Sequence, residues 1–365
     1  MIKYLFADNY KTLVTTRVEF GACNVLLGKS GVGKSTIFEV MAKLRAFIMG
    51  EKRVQKCFPA QTLTAWQNVL VQTFELKVES ADKVYTYHLE VEHMQGDDRQ
   101  SRVKKECVLC NDQPIFSAEE GHARLYNDRL DAGPEILTDW TLSGVSLVHS
   151  RKDNQLLQQF KQEIDKIVVC APNPRTMQEL VEKEDSQPNT DFSNFVAFYK
   201  WIAQERPECI MELWKNLKEI NPAFVNTKLS GDESMKRLQA RFNTAGTDVW
   251  YNFTVLSTGE KMLMALYLLT SYCAADHRYL FIDEPDNFLY LAEIQPWLFY
   301  MEDRNADGMQ CVMISHHPVV MDYLAGSSGI WLKRSDYRAT RVVDAPETQE
   351  PLSASEYIVR ENNAL

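Results

Sequence analysis

Nine consecutive residues near the start of the chain have the composition and spacing of a phosphate-binding loop. The segment Gly28–Thr36 reads Gly-Lys-Ser-Gly-Val-Gly-Lys-Ser-Thr, and it follows an apolar strand at residues 23–27 and precedes an amphipathic helix. Glycines let backbone N–H groups turn inward around phosphate oxygens, and the start of the helix adds the positive end of its dipole. The motif requires this order of strand, loop and helix, so the pattern predicts a nucleotide site. In it, Lys34 reaches the β and γ phosphates and the Ser35 hydroxyl binds Mg²⁺. The residues predicted to bind nucleotide in this loop are Gly28, Lys29, Ser30, Gly31, Gly33, Lys34, Ser35 and Thr36.

Two adjacent carboxylates follow a second apolar strand, much later in the chain. The sequence there reads Tyr-Leu-Phe-Ile-Asp-Glu-Pro, ending with Asp283, Glu284 and Pro285. Ligands of open α/β sheets bind at the carboxyl ends of the strands. Side chains alternate along a strand, so Asp283 and Glu284 point in different directions. We predict that Asp283 belongs to the Mg²⁺ shell and that Glu284 orients and deprotonates the attacking water.

A third segment combines a helix cap with a possible anion site. Ser257, Thr258, Gly259 and Glu260 precede a long apolar helix. Ser257 is placed as the N-cap, and its hydroxyl and the backbone around Gly259 form a helix start that attracts anions. Taken alone, the segment is an ordinary cap. Beside the other two motifs, we interpret it as a phosphate-binding signature.

A fourth segment places histidines directly after an apolar strand. Residues 310–314 are followed by Ser315, His316 and His317. A histidine at that position can donate a hydrogen bond to the γ-phosphate or to the attacking water, although a lone histidine is more often structural. We therefore assign a functional role to one of the pair and prefer His316.

Composition limits the classes of protein that remain. The chain has 365 residues, with 50 Asp and Glu against 40 Lys and Arg, which argues against a surface coated in positive charge for nucleic acid. Two basic clusters, Arg99–Lys105 and Lys333–Arg341, leave local contact with nucleic acid open. No apolar run approaches the roughly 20 residues that span a bilayer, and the first residues do not resemble a signal peptide. We expect a cytoplasmic protein without a membrane partner.

The pattern between the motifs predicts the elements that position them. Alternating apolar residues predict an antiparallel sheet between Val69 and Phe116, and helical spacing dominates Asp153–Ile167 and Phe192–Ile220. No long heptad region interrupts the chain, so a coiled-coil arm is not expected. Three short strands are predicted next, at Phe224–Leu229, Met235–Phe242 and Val249–Phe253. The predicted division is an ATPase lobe at residues 1–150, a helical insert at 151–222 and a second ATPase lobe at 223–365.

The four motifs together resemble the ABC-type ATPase heads of the RecF, SMC and OLD group. The opening Asp8–Lys11 is similar to the way those heads begin. More narrowly, residues 283–289 and 314–318 resemble compact bacterial AAA15/AAA21 ATP-binding proteins, which are often encoded in phage-defence operons. The resemblance implies an α/β P-loop NTPase fold with a mixed sheet, an antiparallel β subdomain and an inserted helical lobe.

The resemblance also implies how the site works. Two heads would sandwich two ATP molecules, with Ser257, Thr258, Gly259 and Glu260 of one copy closing on the γ-phosphate held by Lys34 of the other. ATP with Mg²⁺ would then join a homodimer or higher oligomer. The implied roles are a hydrolytic base for Glu284, metal ligands for Asp283 and Ser35, a switch histidine for His316, and nucleotide contacts for Asn9 and Lys11. One glutamine would complete the metal shell, with Gln61, Gln67 and Gln72 as candidates.

Two positions depart from the family pattern. Thr258 replaces the usual second small residue of the signature, and Tyr290 stands where transporter heads carry an aspartate. We therefore expect communication between the two sites to follow another route than in transporters. The favoured use is a defence ATPase that controls a separate effector protein. A RecF-like DNA-repair ATPase and an ATP-gated assembly protein are the alternatives.

Overall fold

The chain forms two compact units. The computed structural model describes residues 1–94, 100–232, 235–334, 338–345 and 352–363. The first unit comprises Met1–Ile167 with Leu324–Leu365, and the second comprises Val168–Tyr323. These bounds differ from the predicted boundaries at residues 150 and 222, because the prediction divided the chain by the motifs that each part contains. The division into two ATPase lobes and a helical insert stays a prediction.

Eighteen strands and ten α-helices lie within the described residues. In chain order they are β1 (Ile2–Asp8), β2 (Thr16–Glu19), β3 (Cys23–Leu27), α1 (Lys34–Ile48), α2 (Val54–Cys57), β4 (Val71–Ser80), β5 (Lys83–His93), β6 (Ser101–Cys110), β7 (Gln113–Glu119), β8 (His122–Tyr126), β9 (Ala132–Leu137), α3 (Gly144–Leu147), α4 (Gln155–Asp165), β10 (Ile167–Cys170), β11 (Leu180–Val181), α5 (Phe195–Glu205), α6 (Pro207–Ile220), β12 (Phe224–Gly231), β13 (Lys236–Thr244), β14 (Thr247–Asn252), α7 (Thr258–Ala275), β15 (Tyr279–Asp283), α8 (Leu291–Ala306), β16 (Gln310–Ile314), α9 (Pro318–Ser328), β17 (Gly329–Lys333), β18 (Arg341–Val343) and α10 (Ala354–Asn363). None of the helices described is long and apolar enough to cross a membrane.

An antiparallel sheet dominates the first unit. Its eight strands follow the order β2-β1-β4-β5-β6-β7-β8-β9, which confirms the antiparallel sheet predicted after the phosphate loop. Side chains along β4 and β5 alternate between buried and half-buried, as a sheet with one covered face requires. Helix α4 contributes to that cover, because the Phe160 ring stacks on Tyr87 with centroids 5.9 Å apart.

A smaller group of strands carries the phosphate loop. Strand β3 pairs in parallel with β17, and β17 pairs antiparallel with β18. The last three residues of β3, Val25, Leu26 and Leu27, are fully buried. The loop therefore leaves a buried strand and enters α1 directly, as the sequence predicts.

The second unit is built around helix α7. Every residue from Met262 to Cys273 is buried, so this helix is apolar on all sides. Helix α8 packs on it, and the buried Trp297 indole donates a hydrogen bond to Thr270 Oγ1 at 3.0 Å. Strands β15 and β16 pair in parallel, with Asp283 opposite Ile314. The three predicted strands after residue 223 are confirmed as β12, β13 and β14, which form an antiparallel sheet.

A buried carboxyl group in the first unit joins the sheet to the segment after β9. Glu106 is fully buried, and its Oε1 accepts hydrogen bonds from the hydroxyls of Tyr87 at 2.9 Å and Ser143 at 2.6 Å. Its Oε2 accepts from the Gly144 N–H at 2.7 Å. Burial raises the pKa of Glu106 above its usual value. Three buried donors thus depend on one side chain.

We predict that Glu106→Ala lowers the free energy of unfolding by about 3 kcal/mol or more, because it leaves those donors without partners. Chemical denaturation of the full chain measures the change. The exposed Glu119, on the next strand, supplies the matched control, Glu119→Ala, whose effect should stay within about 0.5 kcal/mol. Equal effects of the two substitutions would contradict the assigned role of Glu106.

Candidate functional site

The phosphate loop turns into helix α1 through a glycine in the left-handed region. Gly33 has φ 107° and is the N-cap of α1, so Lys34 and Ser35 are the first helical residues. The Lys34 side chain folds back into the loop, where Nζ donates to the carbonyls of Gly28 at 2.6 Å and Lys29 at 3.1 Å. Lys34 is only 5% exposed, whereas Ser35 is exposed. The loop therefore holds a buried ammonium beside an accessible hydroxyl.

At two of the loop glycines, a side chain would clash with neighbouring atoms. A Cβ at Gly28 would lie 2.3 Å from the Leu332 carbonyl oxygen. A Cβ at Gly33 would lie 2.8 Å from Thr340 Oγ1 and 2.9 Å from Thr12 Oγ1. Both glycines also have positive φ values that other residues rarely adopt. The backbone is thus shaped by packing as well as by the turn itself.

Side chains that follow β17 hold the outer carbonyls of the loop. Thr340 Oγ1 lies 2.7 Å from the Val32 carbonyl oxygen and 3.0 Å from Thr12 Oγ1. Arg334 Nη1 donates to the Gly31 carbonyl at 3.2 Å. These contacts engage carbonyl groups and use none of the loop N–H groups. The arrangement is compatible with N–H groups that serve an anion.

Asn9 does not present its side chain to a ligand. It is fully buried, Nδ2 donates to the carbonyls of Val69 and Val71 at 2.8 Å each, and Oδ1 accepts from the Thr64 N–H at 3.2 Å. Its amide therefore anchors the segment before β4. The implied nucleotide contact of Asn9 stays a prediction, and with the amide engaged in this way it would involve the backbone of Asn9.

Lys11 is paired with the first helix of the unit. Its ammonium forms a short ion pair with Glu39 of α1, and Lys43 Nζ lies 2.8 Å from the same carboxylate. Although burial acts to raise the pKa of Glu39, hydrogen bonds from Lys11 and Lys43 bring that pKa below its usual value. A nucleotide contact by Lys11 would compete with this ion pair.

Burial separates the three glutamine candidates. Gln72 is fully buried, its Nε2 donates to the Asn9 carbonyl at 3.0 Å, and its Oε1 lies 3.0 Å from His93 Nε2. Burial lowers the pKa of His93 to about 4, so the ring is neutral near pH 7 and its Nε2–H can donate to that oxygen. Both polar groups of the Gln72 amide are therefore used within the chain, which leaves Gln61 and Gln67 as candidates.

The second of these, Gln67, is adjacent to a residue that lies near Arg334. Gln67 follows Trp66, whose ring centroid lies 5.9 Å from the guanidinium carbon of Arg334. Arg334 in turn donates to the Gly31 carbonyl. The choice between Gln61 and Gln67 stays a prediction.

The paired carboxylates and a histidine lie at one end of the strands β15 and β16. Glu284 has φ 52°, a left-handed conformation that is uncommon outside glycine, and its N–H donates to the Ile314 carbonyl at 2.8 Å. Strained residues of this kind cluster at active sites. The Glu284 side chain is 43% exposed, and its Oε1 lies 3.6 Å from His316 Nε2. The neighbouring Asp283 is half-buried at the last position of β15.

Of the two histidines, His316 is the one whose ring reaches the carboxylate. The His316 side chain is 46% exposed and faces Glu284. His317 is half-buried, and its Nδ1 is buried without a hydrogen-bond partner in the part of the chain that the structure describes. This geometry agrees with the choice of His316, whose switch role stays a prediction.

The signature segment forms a complete helix cap. Ser257 Oγ accepts from the Glu260 N–H at 3.1 Å, and Glu260 Oε2 accepts from both the N–H and the hydroxyl of Ser257 at 2.8 Å. This is the capping box that stabilises a helix start. Ser257 therefore acts as the N-cap of α7, as the sequence predicts. Its side chain is exposed at the start of the helix. A phosphate contact from a second copy stays a prediction.

The signature helix touches the loop that follows Glu284. A Cβ at Gly259 would lie 3.3 Å from the Phe288 carbonyl oxygen, so any larger residue would push this loop away. Large apolar side chains around this contact are exposed. The exposed fractions are Val255 68%, Tyr290 81%, Leu291 39% and Phe288 38%.

Two functional candidates escaped the sequence patterns. Asn287 Nδ2 donates a short hydrogen bond to Glu284 Oε2 and so fixes one oxygen of the predicted base. The Asn287 N–H also donates to the Glu284 carbonyl at 3.2 Å, so a β-turn brings the two side chains together. The other is Arg175, whose guanidinium lies near the Phe288 ring. The two residues are far apart in the sequence, so no local pattern predicts their contact.

Several residues of the basic clusters that left contact with nucleic acid open are bonded within the chain. Arg102 Nη2 lies 2.6 Å from Glu92, and Lys104 Nζ lies 3.2 Å from Glu90. Arg334 holds the phosphate loop, and Arg341 donates to the Val14 carbonyl at 2.6 Å. Arg99 and residues 335–337 lie outside the described residues.

The predicted site residues fall into two groups, each within one unit. The phosphate loop, Asn9 and Lys11 belong to the first unit, and the signature, Asp283, Glu284 and His316 belong to the second. Elsewhere in the described ranges, no group of three His, Cys, Asp or Glu side chains forms a metal site. Oxygen donors such as the Ser35 hydroxyl and the Asp283 carboxylate match the preference of Mg²⁺.

A family model described as "AAA domain, putative AbiEii toxin, Type IV TA system" matches residues 117–322. The matched range includes the signature, both carboxylates and His316, and it begins after the phosphate loop. None of the curated proteins matches this sequence.

Three solved SMC heads share the fold. The SMC head bound to the C-winged helix domain of ScpA has 12% identity and a TM-score of 0.57, over 94% of this chain and 97% of that chain. The SMC head domain from Thermotoga maritima has 13% identity and a TM-score of 0.52, over 95% and 99%. An Smc head with an extended coiled coil, bound to the C-terminal domain of ScpA derived from Pyrococcus furiosus, has 12% identity and a TM-score of 0.52, over 100% and 99%. The chain therefore has the α/β fold of an ABC-type P-loop ATPase head.

We predict that Gly33→Ala weakens ATP binding by about tenfold or more, because the added Cβ meets two threonine hydroxyls and strains the turn into α1. Equilibrium titration with a fluorescent ATP analogue measures the affinity. Gly246 offers a matched control, since it also has positive φ but has no atom within 4 Å of an added Cβ. Gly246→Ala should cost about 1–2 kcal/mol of stability and leave the affinity unchanged. Wild-type affinity in Gly33→Ala would contradict this account of the loop.

Proposed function

The chain belongs to this AAA domain family, and on that premise we propose that it hydrolyses ATP with Mg²⁺, dimerises on ATP and thereby controls a separate effector protein in anti-phage defence. Its family and fold make it an ATP-binding ATPase of the P-loop class. The observation that carries the hydrolytic part of the proposal is the Glu284 carboxylate. It stands on a left-handed backbone beside His316, and Asn287 holds one of its oxygens.

Binding begins at the phosphate loop in this proposal. The Lys34 ammonium exchanges its loop carbonyls for the β and γ phosphate oxygens, and the loop N–H groups donate to the same phosphates. Ser35 and Asp283 hold Mg²⁺, which neutralises charge on the phosphates when bound. Two protein oxygens suffice, since Mg²⁺ in nucleotide sites is bound by few side chains together with phosphates and water.

Hydrolysis then depends on the orientation of one carboxylate. Asn287 occupies Oε2 of Glu284, so Oε1 is the oxygen that accepts the proton of the attacking water. His316 Nε2, 3.6 Å from that oxygen, is close enough to contact the same water or the γ-phosphate after a small movement. Phosphoryl transfer depends mainly on positioning and charge neutralisation, which these residues supply.

Dimerisation is supported by the surface around the signature. Exposed Val255, Phe288 and Tyr290 surround the start of α7, and exposed apolar groups of this kind mark interaction surfaces. In the proposed dimer, Ser257 and Gly259 face the nucleotide held by Lys34 of the second copy. ATP then acts as part of the interface.

A separate effector is supported by the comparisons. Two of the SMC heads that share this fold are bound to ScpA domains, so heads of this shape can bind a partner protein. The matched family is described by a toxin and a Type IV TA system, which agrees with the resemblance to phage-defence ATPases. Copurification of the full chain from its native host, followed by mass spectrometry, tests for the effector.

We predict that Lys34→Ala weakens ATP binding by about tenfold to hundredfold, because charge-assisted hydrogen bonds to the phosphates are lost. Titration with a fluorescent ATP analogue measures the effect. Lys52→Ala, which removes an exposed lysine from the same unit, serves as the control and should bind ATP normally. Unchanged affinity in Lys34→Ala would remove the phosphate loop from the proposal.

We predict that Glu284→Gln slows ATP hydrolysis by about a hundredfold or more while ATP binding persists, because the amide cannot accept the proton from water. The unhydrolysed ATP should trap the dimer, as seen by size-exclusion chromatography with light scattering in ATP and Mg²⁺. Glu208→Gln, at an exposed position of α6, should hydrolyse ATP like the wild type. Hydrolysis at the wild-type rate in Glu284→Gln would mean that another group is the base.

A further inference from the structure

Arg175 lies in a rigid turn of the second unit. The turn follows β10 and contains Pro172 and Pro174, each of which fixes its own φ angle. The Arg175 N–H donates to Asn173 Oδ1 at 3.1 Å, and the Thr176 N–H donates to the Asn173 carbonyl at 3.0 Å. The backbone of Arg175 is therefore held in one place while its side chain is exposed.

The Arg175 side chain is directed to the signature helix by an aromatic ring. Its guanidinium carbon lies 5.2 Å from the centroid of the Phe288 ring. Phe288 has φ 70°, and its carbonyl oxygen lies 3.3 Å from the position of a Cβ at Gly259. One residue thus contacts Arg175 through its ring and the start of α7 through its backbone. Phe288 therefore links Arg175 to the residues at the start of α7.

Three carboxylates of this region are engaged with other partners, and a fourth, Asp286, is buried. Glu260 accepts from Ser257, Glu284 accepts from Asn287, and Glu293 accepts from the Tyr290 N–H at 2.9 Å. No ion pair to Arg175 occurs within the described part of the chain. A guanidinium that stacks through its face keeps its N–H edges free to donate, and that edge geometry matches phosphate oxygens.

We infer that Arg175 is a further catalytic residue of the composite site, where it donates to the γ-phosphate of ATP bound by a second copy. It acts beside Ser257 of its own chain and stabilises the negative charge on the transferred phosphoryl group. The inference rests on the proposed function, because it requires the signature face of one copy to meet the nucleotide of another.

The first test is Arg175→Ala in the full chain. ATP hydrolysis at saturating ATP should fall by about tenfold or more, while the affinity of the phosphate loop for ATP stays within about twofold. Arg241→Ala is the matched control, since Arg241 also lies near an aromatic ring, 5.3 Å from Trp250, in the same unit. That variant should keep wild-type hydrolysis. Wild-type hydrolysis in Arg175→Ala would overturn the inference.

A mixing experiment separates a contact with the other copy's ATP from support of the loop at Phe288. Arg175→Ala is mixed with Lys34→Ala, which has the intact arginine but binds ATP weakly, at an ATP concentration that saturates only the intact phosphate loop. If Arg175 acts on the other copy, the mixed dimer has one complete site, and hydrolysis in an equal mixture should rise to about a quarter of the wild-type rate, at least about twofold above either variant alone. If Arg175 only supports Glu284 of its own chain, mixing restores nothing, and the inference is wrong. Support of the signature through Phe288 would also be restored by mixing, so Arg175→Lys is measured as well, because a lysine keeps the charge over the ring but loses the planar guanidinium. Wild-type hydrolysis in Arg175→Lys would overturn the inference.

A parallel mixture tests the premise independently. Ser257→Ala mixed with Lys34→Ala should also recover activity if the signature acts between copies. Recovery in this mixture without recovery in the Arg175 mixture would reject the role of Arg175 alone. Recovery in neither mixture would reject the dimer arrangement itself.

Discussion

The shape of the phosphate loop depends on the approach of two threonine hydroxyls to Gly33. Thr12 comes from the segment after β1, and Thr340 comes from the segment after β17. They bond to each other, and Thr340 also holds the Val32 carbonyl. The loop is therefore complete only when residues more than three hundred positions apart in the sequence have met. Nucleotide affinity should consequently be sensitive to the folding of the entire first unit.

In the second unit, a strained backbone conformation positions the proposed catalytic carboxylate. The backbone at Glu284 is held in a conformation that costs about 1–3 kcal/mol, and the bond from its N–H to Ile314 helps to offset that cost. The turn that results allows Asn287 to reach back to the carboxylate. The left-handed backbone at Glu284 therefore both strains the chain and orients the proposed base.

Local patterns predicted the parts of the site that are contiguous in sequence. The spacing of residues predicted the glycine loop, the paired carboxylates and the strands β4, β5 and β6. The roles of Asn9 and Gln72 could not be predicted this way, since their burial depends on the Asn9–Val71 and Gln72–His93 contacts. Arg175 was invisible for the same reason, because its ring partner lies more than a hundred residues away.

The capping box at Ser257 has a consequence for the proposed contact between two copies. A serine hydroxyl has one proton, and at Ser257 that proton points to Glu260. A phosphate that takes this proton must displace the glutamate, so the helix start exchanges one anion for another instead of gaining a new negative neighbour. In the proposed dimer, Glu260 would serve as a resident substitute for the phosphate and would keep the start of the helix neutralised whenever the copies are apart.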